Sequence, residues 1–321
     1  MMGRLGRARA SPRSLACQHQ AVQYDRSKKL SGVAPMISKR RLLQYAAAIP
    51  LLGPGTAARA LTGSNLIVHE NRLFLDVVVN GHPVRALLDS AAESSFMDLA
   101  FARQIGVAGG TTVEARGSGG DTTASLAKGV VIEALGLRLG PLTVALLDLS
   151  DIGRRLLRGP LPFVLGRELF DAARLSIDIA HGRIATRSRP VEPQGVRLGL
   201  SDERGLETFP ASVEGHAAVG TAFDLGNGGE VLIGADYAKQ IGALSDGRPI
   251  VEKRGGGIGE ERLRQTFMLR SLDIAGRRFS NVPAAVDANG SATKLNVGVD
   301  ILRNFDIVTD FSAHCLWLRA L

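Results

Sequence analysis

Ala86-Leu87-Leu88-Asp89-Ser90-Ala91 and Thr221-Ala222-Phe223-Asp224-Leu225-Gly226 are the stretches whose likeness decides the architecture. Each is a short apolar run that ends on an aspartate and passes at once into small or turn-forming residues. Each also stands at the same place in a longer repeat. Upstream of the first lies Leu73 to Asn80-Gly81-His82, and upstream of the second lies Phe209 to Glu214-Gly215-His216. Downstream, Phe101-Ala102-Arg103-Gln104-Ile105-Gly106 answers to Tyr237-Ala238-Lys239-Gln240-Ile241-Gly242. Asp89 precedes Gly106 by 17 residues and Asp224 precedes Gly242 by 18. Leu165-Gly166-Arg167-Glu168-Leu169 then matches Val297-Gly298-Val299-Asp300-Ile301, the glycines standing 77 and 74 positions after their aspartates. In each copy a further aspartate, Asp178 or Asp310, follows that glycine by 12. Self-similarity of this kind implies two structural units of one design.

The local chemistry is that of β-structure. Val77-Val78-Val79 is a β-branched run before Asn80-Gly81, the dipeptide of a type I′ hairpin, and Glu214-Gly215 occupies that place in the second copy. Further strand pairs are expected through Val130-Val131-Ile132 with Leu142-Thr143-Val144, and through Phe267-Met268-Leu269 with Val282 to Val286. Helices should be short: Asp98 to Ile105, with Asp98 as N-cap and Gly106 just past the end, and its counterpart around Tyr237 to Gly242. The expected fold is therefore mainly β, with two homologous lobes over 61–188 and 207–321. They are joined by a linker over 189–206, whose Ser188-Arg189-Pro190-Val191-Glu192-Pro193-Gln194-Gly195 has linker composition.

A chain of 321 residues suits two domains, and 45% apolar with 22% charged residues describes a folded globular protein. The net charge of +8 is misplaced for a nucleic-acid binder. Residues 1–35 carry seven Lys/Arg against one acid and residues 36–60 carry four against none, which leaves −2 for residues 61–321. A polyanion partner would need its basic stripe on the folded part. From Met36 the chain reads as an export signal: Ser38-Lys39-Arg40-Arg41, an apolar run from Leu42 to Leu52, then the small-residue site Ala58-Arg59-Ala60. Arg40-Arg41 is similar to a twin-arginine signal. Residues 1–35 read as a leader with no periodicity, with Met36 as the true start, and the protein is expected in the periplasm or outside the cell. No apolar run reaches the roughly 20 residues a membrane-spanning helix needs.

Two cysteines, Cys17 and Cys315, cannot build a disulfide framework or a multi-cysteine metal site. Cys315, beside Leu316 and Trp317, reads as a buried thiol. His82 and His216 sit at hairpin ends with no further ligand at metal spacing, so no metal is expected. Phosphate-binding, dinucleotide and nucleophile-elbow patterns are absent from the sequence, and no cofactor is expected. Asp178, Asp310 and Asp300 read as structural residues at strand ends or turns.

Asp89 and Asp224 read otherwise. If two similar lobes face each other about a pseudo-two-fold axis, equivalent positions meet there, and two carboxylates arrive from identical strand-to-loop corners. Such a pair cannot ionise twice at once; it shares a proton, so that one member takes a proton from water while the other donates to a carbonyl oxygen. Here the sequence resembles the two-lobed retropepsin-like aspartic proteases of bacteria. Asp89-Ser90-Ala91 and Asp224-Leu225-Gly226-Asn227 look like that family's Asp-Thr/Ser-Gly loops. Val164-Leu165-Gly166 and Asn296-Val297-Gly298 look like its supporting segments, and Ser176 to Arg183 is similar to its closing strand-turn-strand. The resemblance covers most of residues 70–321.

It implies two β-barrel lobes, catalytic Asp89 and Asp224, and supporting Ser90, Ala91, Gly226, Asn227, Gly166 and Gly298. It also implies glycine-rich flaps, Gly117, Gly119 and Gly120 in the first lobe and Gly256, Gly257 and Gly259 in the second. The implied activity is that of an aspartic endopeptidase on peptide or protein substrates, acting as a monomer. Two departures matter: Leu225 lacks the hydroxyl that in the family crosses to the opposite loop, and Ala91 stands where glycine is usual. An inactive relative that binds peptides in the same cleft is the alternative, and an unrelated two-lobed β-rich binding protein is a third reading.

Overall fold

The computed structural model describes residues 63–288 and 293–321. The leader, the export signal with Met36 and Arg40-Arg41, and Cys17 lie outside the described residues. From the first copy come β1 (Gly63–Asn65), β2 (Ile67–His69), β3 (Arg72–Val79), β4 (His82–Leu88), β5 (Phe96–Asp98) and β6 (Thr112–Gly117). They are followed by β7 (Gly120–Ala134), β8 (Leu137–Leu147), β9 (Phe163–Leu165), β10 (Leu175–Asp178) and β11 (Arg183–Thr186). The second copy gives β12 (Val196–Gly199), β13 (Ser201–Glu203), β14 (Leu206–Val213), β15 (Val219–Phe223), β16 (Val231–Gly234) and β17 (Val251–Gly255). It continues with β18 (Arg262–Ile274), β19 (Arg277–Asp287), β20 (Leu295–Val297), β21 (Phe305–Asp310) and β22 (Cys315–Ala320). The helices are short: α1 (Leu99–Gln104), α2 (Ser150–Ile152) running into a π turn over Gly153–Leu157, α3 (Glu168–Ala172), α4 (Ala235–Gln240) and α5 (Val299–Leu302).

Two eight-stranded sheets carry the repeat. One runs β2-β3-β4-β9-β5-β8-β7-β6 and the other β13-β14-β15-β20-β16-β19-β18-β17, an identical order. Extra pairings, β3 with β7 and β14 with β18, curl each sheet back on itself. The third sheet, β1-β11-β10-β21-β22-β12, takes three strands from each copy and joins them through β10 against β21, Leu175 opposite Thr309 and Asp178 opposite Asp306. The fold is thus mainly β with two lobes of one topology, as the repeat predicts.

Local chemistry explains the elements. Asn80 and Gly81 both have positive φ, as do Glu214 and Gly215, which is the type I′ geometry that suits the twist of flanking strands. Asp98 caps α1 by accepting from the amides of Ala100 and Phe101. β3 and β14 show the same alternation of buried and exposed positions along eight residues, the period of a strand with one face in a core. One apolar core runs through both lobes, and at their seam Phe170 stacks on Phe311 at 5.1 Å while Phe223 meets Phe311 edge-on at 6.3 Å. Burying each such ring contributes about 1.5–3 kcal/mol.

Residues 189–206 are more than a linker, since β12 and β13 form there. β12 pairs with β22, Val196 opposite Leu318, and β13 opens the second barrel sheet. Asp178 and Asp310 end their strands, the first accepting from the His181 amide at 3.0 Å and the second pairing with Arg174 at 3.1 Å. Cys315 is buried, with Arg197 Nη2 2.5 Å from its sulfur. His82 and His216 are exposed at the hairpin ends. Among the described residues no helix is long and apolar enough to cross a membrane.

Candidate active site

β4 ends at Leu88 and β15 at Phe223, and each next residue is the aspartate. Both strands lie parallel to the short strand that carries the supporting glycine: Leu88 is opposite Leu165 on β9, and Phe223 opposite Val297 on β20. The Asp89 amide donates to the Leu165 carbonyl at 3.0 Å and the Asp224 amide to the Val297 carbonyl at 3.1 Å, so the ladder is carried one residue into each loop. The glycines that follow permit close packing. A Cβ on Gly166 would stand 2.7 Å from the Ser94 carbonyl carbon, and one on Gly298 would stand 1.9 Å from the Asn227 oxygen.

Each loop then wraps its own carboxylate. Asp89 Oδ1 accepts from the amides of Ala91 at 2.9 Å and Ala92 at 3.1 Å. Asp224 Oδ1 accepts from Gly226 at 2.9 Å and Asn227 at 3.0 Å. The Ala91 amide therefore reaches its carboxylate despite the extra methyl. Gly226 belongs to both groups at once: its amide serves Asp224, and a Cβ on it would stand 2.4 Å from Asp89 Cγ. The loop of one lobe thus lies directly on the carboxyl group of the other.

The cross-lobe hydroxyl acts from one side. Ser90, 3% exposed, donates to the Phe223 carbonyl at 2.9 Å and accepts from the Leu225 amide at 2.9 Å. Leu225 returns nothing; its side chain is fully buried in the shared apolar core. Burial, and after it the charge of Asp224, push the Asp89 carboxyl up from 3.8 to about 7. Burial also pushes Asp224 up, against an opposing set of donors led by the Asn296 side chain.

Two residues here escaped the sequence reading. Asn296 Nδ2 donates to Asp224 Oδ2 at 2.7 Å, while Asn296 Oδ1 accepts from Asn227 Nδ2 at 2.9 Å. A visible signal existed, since the first copy has Val164 at that place and a lone polar residue in an apolar strand asks for a partner. Arg72, at the start of β3, reaches across to the second loop, where a Cβ on Gly228 would stand 2.2 Å from its Nη1. Burial holds its guanidinium below the ordinary value, opposed by the charges of Asp224, Asp89, Asp300 and Glu230. Beside it Asn71 donates to the Gly228 carbonyl and to Asp300 Oδ1, both at 2.7 Å. Asp300 is therefore a tie between the lobes as well as the first-turn residue of α5. Arg167 mirrors this tie from the other side, donating to the Gly205 carbonyl and to Glu207 Oε1, both at 3.1 Å.

The glycine-rich segments form the ends of the β6–β7 and β17–β18 hairpins, and these ends meet. Gly119 donates to the Ile258 carbonyl at 2.8 Å, Gly257 donates to Ser118 Oγ at 2.7 Å, and Arg262 Nε donates to the Gly119 carbonyl at 2.8 Å. Gly117 and Gly120 pair at the base of the first end, and Arg155, from the π turn, donates to the Gly256 carbonyl of the second at 3.1 Å. Gly259 bridges Gly119 in β fashion. Ile258 packs against a cluster of the first lobe that includes Leu87 and Val164, so the second hairpin end rests beside the strands that carry the Asp89 loop. Among the described residues no group of three or more His, Cys, Asp or Glu is arranged to hold a metal ion.

Residues 75–169, from β3 through Asp89 and Gly166 into α3, match the aspartyl protease family. No curated protein matches the chain. The family match supports a protease-type function with peptide substrates. Over residues 75–169 the match supports a retropepsin-like aspartyl protease family.

Proposed function

We propose that the protein is an aspartic endopeptidase whose catalytic pair is Asp89 and Asp224, one from each lobe of a single chain. The observation that carries this reading is Gly226, whose amide binds one carboxylate while its α-carbon abuts the other. Two half-buried carboxyls so placed hold one proton between them at neutral pH, in keeping with the raised position of Asp89. The monoanionic pair has what amide hydrolysis needs. Its carboxylate takes a proton from a bound water as the water oxygen bonds to the carbonyl carbon, and its carboxyl gives a proton to the carbonyl oxygen. The resulting diol collapses as one of its hydroxyls returns a proton to the pair, the C–N bond breaks, and the leaving nitrogen takes a proton from the pair. The joined hairpin ends act as flaps that part to admit a peptide and then exclude water. Export by the segment from Met36 to Ala60 would bring the enzyme, as a monomer, to the periplasm or the cell exterior.

The test is incubation of the protein with a peptide library in ¹⁸O-labelled water from acid to neutral pH. The reading predicts internal cleavage, with one label in each new carboxyl terminus after a single turnover. Absence of any cleavage contradicts it, and saturable peptide binding without cleavage would favour the inactive relative, which the single hydroxyl grip of Ser90 leaves in play.

A further inference from the structure

The lobes share a topology, yet their carboxylates are not held alike. Asp89 accepts from two backbone amides. Asp224 accepts from the two equivalent amides and, on its other oxygen, from the Asn296 side chain at 2.7 Å. The position equivalent to Asn296 is Val164, buried in the apolar cluster of the first lobe, so Asp89 has no such donor. The orientation of the Asn296 amide is fixed by its neighbours. Its oxygen is taken by Asn227 Nδ2, which also donates to the Glu230 carbonyl at 3.2 Å, and Asn227 Oδ1 accepts from the Gly229 amide at 2.9 Å. A chain of amides thus ends on Asp224 with an N–H, a group that stabilises a carboxylate and has nothing to offer a neutral carboxyl oxygen bearing the proton.

We propose that Asn296 is the positioning residue that divides the labour within the pair, keeping Asp224 as the carboxylate that takes the proton from water and leaving Asp89 as the acid that donates to the carbonyl oxygen. This rests on the catalytic reading of Asp89 and Asp224. The charged groups facing Asp224 are Asp89, across the seam, and Arg72, from the start of β3; Arg72 in turn faces Asp300 and Glu230. Arg72 attracts both carboxylates of the pair, so the side-chain donor that reaches one of them alone is what separates their roles.

The experiment combines ¹³C NMR titration of aspartate carboxyls with the pH profile of kcat/KM, for the full chain and for N296V and N296L. The first variant copies Val164 and the second keeps the outline of asparagine. D89N and D224N assign the two carboxyl signals. In the wild type the Asp224 carboxyl should ionise in the lower of the two steps. In both Asn296 variants that lower step should rise by about one to two pH units, and the acid limb of kcat/KM should rise with it. An unaltered lower step in folded variants overturns the proposal, as does wild-type ionisation of Asp89 before Asp224. If D89N and D224N cleave as well as wild type, the catalytic reading fails and the proposal falls with it. If they are inactive while N296V and N296L keep the wild-type acid limb, the role of Asn296 alone falls.

Discussion

Equivalent rows of side chains in the two barrels have been put to different uses. In the first lobe, neighbouring strands bring Phe74 opposite Leu87, Leu87 opposite Val164, Val164 opposite Phe96 and Phe96 opposite Ala145. In the second, the same register brings Thr208 opposite Ala222, Ala222 opposite Asn296, Asn296 opposite Leu232 and Leu232 opposite Ala285. The first row is wholly apolar and is covered by Leu149, Ile152 and Leu157 around α2 and its π turn, and by Ile258 from the opposite hairpin. The second row places a polar amide against Asp224. Strand pairing is set by the backbone, so two sheets of one strand order keep the same register while single side chains differ. The shared topology fixes where the two carboxylates stand, and departures from it fix which donors each of them meets.

The loops repeat this contrast, and two substitutions test it. Of these two the larger effect is expected at Gly226, where the second loop touches the carboxyl of the first. In Gly226→Ala the new methyl would stand 2.4–2.7 Å from the three atoms of the Asp89 carboxyl group, which its own amides hold in place. Displacement by about 1 Å should lower kcat/KM roughly 10²-fold while the thermal transition moves little. Wild-type kinetics in this variant would break the claim that the loops lie on each other's carboxylates. Ser90→Ala comes next. It removes both cross-lobe bonds together and leaves the buried Leu225 amide and Phe223 carbonyl without that partner, a cost of about 2–4 kcal/mol by denaturant unfolding. A loss below about 0.5 kcal/mol would mean that the one-sided grip contributes nothing and that Leu225 packing alone sets the seam.

Much of this was legible in the sequence because it is local. Val77 to Gly81 and Asp98 to Gly106 declare a hairpin and a capped helix through residues within one turn of each other, and the likeness of the two stretches then singles out both aspartates. What was illegible depends on the partner lobe. Arg72 reads as an ordinary basic residue at a strand start until the second loop is seen to leave Gly228 open beneath it. Asn296 reads as part of a supporting strand until Asp224 arrives at its amide. β12 and β13 were hidden for another reason, since strands of four and three residues among prolines and glycines are too short to show a period and form by pairing with β22 and β14. The short helical segment around Ser150 to Leu157 has no counterpart between β19 and β20 among the described residues, so the repeat gave no hint of it.

The central claim, that Asp89 and Asp224 work as one unit, is tested most directly by comparing cleavage rates of D89N, D224N and the double variant under one set of conditions. Residues that act as a unit are non-additive. The account predicts that each single substitution lowers kcat/KM by about 10²–10⁴-fold or more and that the double variant is no worse than either. A single variant that keeps most of the wild-type rate, or losses that simply multiply, would contradict it.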